Sequence, residues 1–355
     1  MYDFIIVGAG PPGSRFAYQA TNAGYDVLLF EKGTIGEPLA CSGHVSTDIW
    51  NYLPDGAETD LLQNKISGAR FHTGGAGSHP YRFYKPDPIS HVIDRVQLDT
   101  HLAQRAADAG ADVRTDHTVT NVTEHESHVD VTVTTNHGHT DTFSSRMVAG
   151  CDGPASRVRR SVSLPEPDEF LHGVLAFADN PDAGSYVDVH LTAPTFFAWR
   201  IPRGDAGVEY GVAAPPGTEV SELFTTLTNE YDVTPIHQCS GTIPIGPPAT
   251  VTTDRVFLIG DAAGQTKPFT GGGILYGLTA ADIAAETIDP TDTNTLSTYE
   301  TRWRKALLRE IQLGKAIRRC YSLPEPLQRV GLRMLSGEIG VHMDRCLVEC
   351  KTATE

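Results

Sequence analysis

The sequence predicts an α/β protein with three parts. These are a parallel-sheet domain assembled from separate stretches of chain, an antiparallel-sheet domain inserted into it, and a helical segment at the end. Three observations carry this. Phe4–Val7 and Val27–Phe30 are short apolar runs on either side of a helical stretch with small residues at Ala17, Ala20 and Ala23 and a stop at Gly24, the pattern of a buried βαβ unit. From His172 to Ala214 the pattern turns to alternating strands at Gly173–Ala178, Tyr186–Leu191, Phe196–Ile201 and Val208–Ala213. Arg255–Asp261 then returns to a buried parallel strand, which makes the second sheet an insertion. The boundaries put residues 1–65, 94–165 and 250–290 in the first domain, 66–93 and 166–249 in the second, and 291–355 in the helical segment.

The first βαβ unit carries Gly8-x-Gly10-x-x-Gly13 between strand and helix, and Glu31 follows Gly13 by 18 residues at the end of the second strand. Gly8 makes the tight turn, Gly10 lets backbone approach a pyrophosphate, and Gly13 lets helix and strand pack closely. The helix N-terminus supplies N–H groups and positive charge for phosphates, and Glu31 accepts hydrogen bonds from a ribose. With strand, helix, second strand and acid in register, this is an ADP-binding unit.

The remaining elements follow in order. Residues 33–39 form a loop, and Ala40–His44 opens a helix. Residues 66–93 are strands and turns rich in aromatics, among them Tyr81 and Phe83. A helix spans His101–Ala109 with its stop at Gly110, and Ala111–Thr115 is a third parallel strand. Val129–Gly138 alternates and turns into a hairpin ending near Phe143, and Met147–Gly153 is a separate short buried strand. A long helix runs from Gly271 through Ile288.

Composition narrows the class. The chain has 355 residues, 40% hydrophobic, with 34 Gly and 23 Pro, which fits a loop-rich α/β enzyme. Its net charge is −16 and only 7 of 28 basic residues are Lys, which suggests adaptation to high salt and argues against general nucleic-acid binding. Residues 300–334, read as one or two helices, hold nine Arg or Lys against three Glu, a local +6 in a chain otherwise at −22. Within it, the segment near Arg302–Arg319 either holds anionic lipid headgroups at a membrane surface or is a solvated helix face. With no signal peptide and no spanning apolar run, the expected location is cytoplasmic, either free or in peripheral contact with a membrane surface. The six cysteines lack metal-site pair spacing, and no metal is expected. His342, Cys346 and Cys350 share a helix face, which serves packing, with a bridge to Cys320 or a metal site as the alternatives.

A second glycine-rich signal stands some 250 residues on: Gly260-Asp261, then Pro268-Phe-Thr-Gly-Gly-Gly-Ile274. An Asp after a strand and glycine can bond a ribityl hydroxyl. The glycines at a helix start, Gly272 and Gly273 with Ile274, offer N–H groups and positive dipole to the flavin edge where charge builds on reduction. Together with Asp94-Arg95, Asp99 and Cys151-Asp-Gly153, these residues resemble the FAD-dependent geranylgeranyl reductase family, relatives of the aromatic-hydroxylase flavoproteins with the glutathione-reductase-type FAD fold. Pro38-Leu-Ala-Cys41-Ser-Gly43 looks like that family's cysteine loop. Phe197-Ala-Trp199-Arg-Ile-Pro202, with Glu209-Tyr-Gly211, resembles its Trp…Pro…Gly signature.

The resemblance implies FAD as cofactor, held by Gly8, Gly10, Gly13, Glu31, Lys32, Cys41, Arg95, Val119, Asp261, Gly272, Gly273 and Ile274. It implies saturation of isoprenoid C=C bonds by hydride from reduced flavin, with a reduced pyridine nucleotide or ferredoxin as electron donor. The alternative is a flavin monooxygenase or other oxidoreductase acting on an aromatic or quinone. Cys41 is the catalytic residue, as proton donor or in shaping the pocket; a buried small hydrophobe is the plainer reading. Trp199, Phe269, Tyr276, Tyr81 and Phe83 line an apolar substrate tunnel, or pack the core. Lys267 stands where many relatives carry Asp, and adds positive charge near the flavin.

Overall fold

The structure is a computed structural model and describes residues 1–39 and 41–338. In chain order, β1 (Tyr2–Val7), α1 (Pro11–Asn22) and β2 (Val27–Phe30) form the βαβ unit. Then come β3 (His44–Ser46), a 3-10 turn, α2 (Ala57–Leu61), β4 (Leu62–Ile66), β5 (Gly68–His72), β6 (Tyr81–Tyr84) and β7 (Ser90–Ile93). Helix α3 (Arg95–Asp108) leads to β8 (Asp112–Arg114), β9 (His117–Glu124), β10 (Val129–Thr135), β11 (Thr140–Gly150) and α4 (Arg157–Ser161). Next are β12 (Glu169–Ala178), β13 (Tyr186–His190), β14 (Ala198–Pro202), β15 (Val208–Ala214), α5 (Val220–Glu230) and β16 (Ile236–Ile245). Strand β17 (Val256–Leu258) precedes α6 (Ile274–Thr287), α7 (Thr295–Arg318) and α8 (Glu325–Leu335).

The first sheet runs β8-β2-β1-β11-β10-β9, with β17 also paired to β11. Strands β8, β2, β1, the end of β11 and β17 are parallel, whereas β9, β10 and the start of β11 form an antiparallel meander. Strand β11 therefore does two jobs. Ser145 pairs Val129 of the hairpin, and three residues on, Val148 pairs Val256 of the parallel layer. The hairpin arm and the Met147 strand, expected as separate elements, are one strand of 11 residues. Helices α1, α3 and α6 pack together against this sheet through Phe16, Ala17, Ala20, Ala280 and Ala284, whose small side chains allow close approach.

The second sheet, β16-β12-β15-β14-β13-β5-β6, is antiparallel except where β13 runs parallel to β5. All seven residues of β15 are buried because both faces are covered. One face packs under α5 through Val220, Phe224 and Leu227, and the other carries Phe71, Val187, Val189, Phe197 and Ile201. Strand β7 pairs with β3 and β4 in a small third sheet.

Three local readings need correcting. The Cys41 stretch opens strand β3, not a helix; Ser46 then accepts the Asp48 N–H at 3.3 Å and starts the 3-10 turn. Helix α3 begins at Arg95 because Asp94 caps it, accepting the Gln97 N–H at 3.0 Å. Strands β9 and β16 and helix α5 were not read from the sequence. No helix among the described residues is long and apolar enough to cross a membrane. His342, Cys346 and Cys350 lie outside the described residues, as would any bridge from them to Cys320.

Candidate functional site

The first glycine turn is closed by sterics. Gly8 has φ +101°, and a Cβ there would lie 2.4 Å from the Cys151 carbonyl oxygen. A Cβ on Gly13 would lie 2.0 Å from the Gly8 oxygen, whereas one on Gly10 would meet nothing within 4 Å. The turn is packed on its inner side and open where Gly10 faces outward, as a pyrophosphate seat requires. Pro11 and Pro12 carry no N–H, so the start of α1 offers an anion the N–H groups of Gly10 and Gly13 and the positive end of the helix, fewer donors than a helix N-terminus ordinarily has. Glu31 stands at the end of β2 and accepts the N–H groups of Ala9 at 2.8 Å and Lys32 at 2.9 Å, which ties the acid to the turn. Lys32 itself points to solvent.

The second turn meets the first. Gly260, at φ +69°, would place a Cβ 2.8 Å from Cγ of Pro12, and α6 passes Pro12 at Gly277. Gly273 caps α6, and a Cβ there would lie 2.8 Å from Oδ1 of Asp261; only glycine lets that carboxylate approach the helix end. Burial pushes the Asp261 carboxyl up to about 6, against the pull of Arg95. Arg95 is itself buried. Burial opposes its charge, but the two-pronged ion pair with Asp99 and the interaction with Cys41 together outweigh this and raise its pKa.

One cavity takes in both turns and the inner face of the second sheet. Gly10, Cys41, Arg95, Asp261, Gly272, Gly273 and Ile274 line one end. Ala69, Phe71, Val187, Val189, Phe196 and Ile201 of the second sheet and its loops line the other, and Trp199 and Phe269 also belong to the lining. The Trp199 indole lies over Gly211, where a Cβ would come within 2.2 Å of the ring, and its Nε1–H donates to Glu209 at 2.8 Å. The Trp…Pro…Gly signature thus has a steric reason: the glycine makes room for the indole.

Several predicted residues lie elsewhere. Tyr276 is 2% exposed in the core of the first sheet, and Phe83 packs behind Phe71 at 5.2 Å; neither lines the cavity. Tyr81 borders a separate surface depression with His79. Val119 is buried on β9, with its carbonyl accepting Arg157 Nη1–H at 2.8 Å. Asp152 of the Cys151-Asp-Gly153 segment holds the start of α4, accepting from Ser156 at 2.6 Å and from the Val158 N–H at 3.1 Å. Lys267 is fully buried, its Nζ 5.0 Å from the Phe269 ring centre.

The sequence left Ser90, Cys239, Ile243 and Tyr321 out of the site, though all four line the cavity. His44 lines it too. Its Nε2 shares a 2.7 Å hydrogen bond with Ser90 Oγ, and burial, with His91, lowers its pKa to about 3, so the ring is neutral. His44 Nδ1 is buried with no protein partner. A bound FAD fits these features: an open seat at Gly10, an acid beside a glycine-capped helix end, and an orphaned imidazole nitrogen on a residue that lines the cavity.

Residues 1–188 match the FAD binding domain family. The chain is 30% identical to digeranylgeranylglycerophospholipid reductase 2 of Methanothermobacter thermautotrophicus, over 95% of this chain and 92% of that one. It belongs to the digeranylgeranylglycerophospholipid reductase family. A second relative, digeranylgeranylglycerophospholipid reductase 1 of Methanococcoides burtonii, is 31% identical over 87% of this chain and 81% of its own. Among solved structures, a geranylgeranyl bacteriochlorophyll reductase-like protein from Thermoplasma acidophilum superposes with TM-score 0.86 and 23% identity, covering 97% of this chain and 93% of that one. The p-nitrophenol 4-monooxygenase of Pseudomonas putida shares the fold at TM-score 0.74 and 17% identity, over 94% and 93% of the two chains. FAD is the cofactor of this family member, whose FAD-binding domain and mixed α/β fold agree with what the motifs led one to expect.

Proposed function

We propose that this protein saturates C=C bonds of geranylgeranyl chains in ether lipids. One observation carries this: the cavity that holds the Gly10 and Asp261 turns continues, without a dividing wall, into an apolar chamber built on the second sheet. Bound and reduced, FAD supplies the hydride. The chain's own residues do the rest. Val187, Val189, Phe71 and Phe197 exclude water and align an apolar chain, which an unactivated alkene needs because it is a poor hydride acceptor. Cys41 lines the flavin end of the cavity and holds a proton at Sγ for the second alkene carbon. His44, neutral, adds no second positive charge beside Arg95 at the flavin end. The reducing partner is a reduced pyridine nucleotide or a ferredoxin. Helix α8 gives peripheral contact with the membrane that carries the substrate.

The test is anaerobic. Enzyme reduced with dithionite and mixed with a geranylgeranyl glycerol ether lipid regains the visible absorbance of oxidised flavin, and Cys41→Ser keeps its flavin but does so about tenfold more slowly. No reoxidation without oxygen, combined with oxygen uptake on an aromatic substrate, would favour the monooxygenase reading. Equal rates in the Ser variant would reduce Cys41 to a packing role.

A further inference from the structure

Glu209 is the most enclosed carboxylate on the second sheet, with a side chain 0% exposed; its ion-pair partner Arg203 is 7% exposed. The two carboxylate oxygens are divided between tasks. Oε1 accepts the Trp199 indole N–H at 2.8 Å, and Oε2 accepts Arg203 Nη1–H at 3.3 Å. The same Nη1 donates to the carbonyl of Ser42 at 3.0 Å, one residue from Cys41. The Arg203 guanidinium lies over the Phe177 ring, 4.6 Å from its centre. Its backbone closes the β14–β15 turn, with its N–H donating to the Gly207 carbonyl at 2.8 Å. We propose that Glu209 is a positioning residue that, through Arg203, fixes the Cys41 loop relative to Trp199 in the wall of the substrate chamber.

Along the chain these two places are more than 150 residues apart. Burying an ion pair is costly, and an apolar pair of similar volume would stabilise the sheet at least as well. A link that holds loop and wall in register is a reason to keep the charges. Burial pushes the Glu209 carboxyl up to about 6, with Arg203 and Trp199 pulling it back; Cys239, facing it from β16, is raised by its own burial and then by Glu209.

This inference rests on the proposed reaction only for its kinetic readout. In Glu209→Gln the amide oxygen still accepts the Trp199 N–H, but its NH2 group faces the Arg203 donors and the Arg203 tie is lost. Trp199→Phe does the reverse. The first readout is iodoacetamide labelling of flavin-loaded enzyme, resolved by peptide, with exposed Cys320 as internal reference. Labelling of Cys41 speeds up several-fold in Glu209→Gln and stays at the wild-type rate in Trp199→Phe. The second readout is turnover: kcat falls about tenfold in Glu209→Gln with KM little changed, whereas Trp199→Phe raises KM. Should Glu209→Gln lose flavin or fail to fold, Arg203→Met/Glu209→Gln removes both buried charges and makes the same labelling test. Folded, flavin-loaded variants whose Cys41 labels at the wild-type rate overturn the link. Faster labelling in an enzyme that reduces no lipid upholds the link and strikes the assigned reaction instead.

Discussion

Gly10 and Gly13 belong to one turn, yet they should fail in different ways. A side chain at Gly13 collides with the backbone of Gly8, so Gly13→Ala costs about 2 kcal/mol or more and lowers the melting temperature. A Cβ at Gly10 meets no protein atom within 4 Å, so Gly10→Val folds with near wild-type stability and purifies colourless. Thermal melts and visible absorbance separate the two outcomes, and a yellow Gly10→Val protein would remove the pyrophosphate seat from that turn. These glycines were legible because their constraint is local. His44 was less so, since its partner Ser90 lies 46 residues away and only the β3–β7 pairing unites them. Tyr276 was misread through helical phase. Ile274 faces the cavity, and two residues on, about 200° round the helix, the side chain must face the core.

Helix α8 buries Gln328 and packs Leu332 toward the second sheet, yet it also turns Leu327, Val330, Met334 and Leu335 outward. Of the nine exposed large apolar side chains among the described residues, six fall between Leu313 and Leu335, so the exposure is a patch and not scatter. Arg329 and Arg333 flank it in a chain of net charge −16. An apolar face edged with arginine suits the surface of an anionic bilayer. Flavin-loaded protein should pellet with anionic vesicles, and Leu327→Ser/Met334→Ser should abolish pelleting while retaining flavin; pelleting equal to wild type would exclude α8 as the contact. The elements missed in the sequence share a cause. Strands β9 and β16 lie at sheet edges and bury few residues, which blurs the alternation, and the threonines of α5 mask the helical spacing of Val220, Phe224 and Leu227.

At the scale of the whole molecule, Pro12 against Gly260 is the contact that matters, because it brings two turns some 250 residues apart to one cofactor. Both motifs could be read one at a time; that they open into the same chamber as the second sheet could not, since it depends on β12 to β16 folding back over the Cys41 loop. If the chamber holds the isoprenoid chain, filling it far from the flavin should stop the reaction and spare the cofactor. Ala69 lines the apolar end. The direct measurement is mass spectrometry of a geranylgeranyl ether lipid after anaerobic turnover by wild type and by Ala69→Trp, each with its flavin bound and reduced. Hydrogenated chains from the wild type and unreacted lipid from Ala69→Trp are the predicted result; unreacted lipid with wild type, or equal product from both, would contradict it.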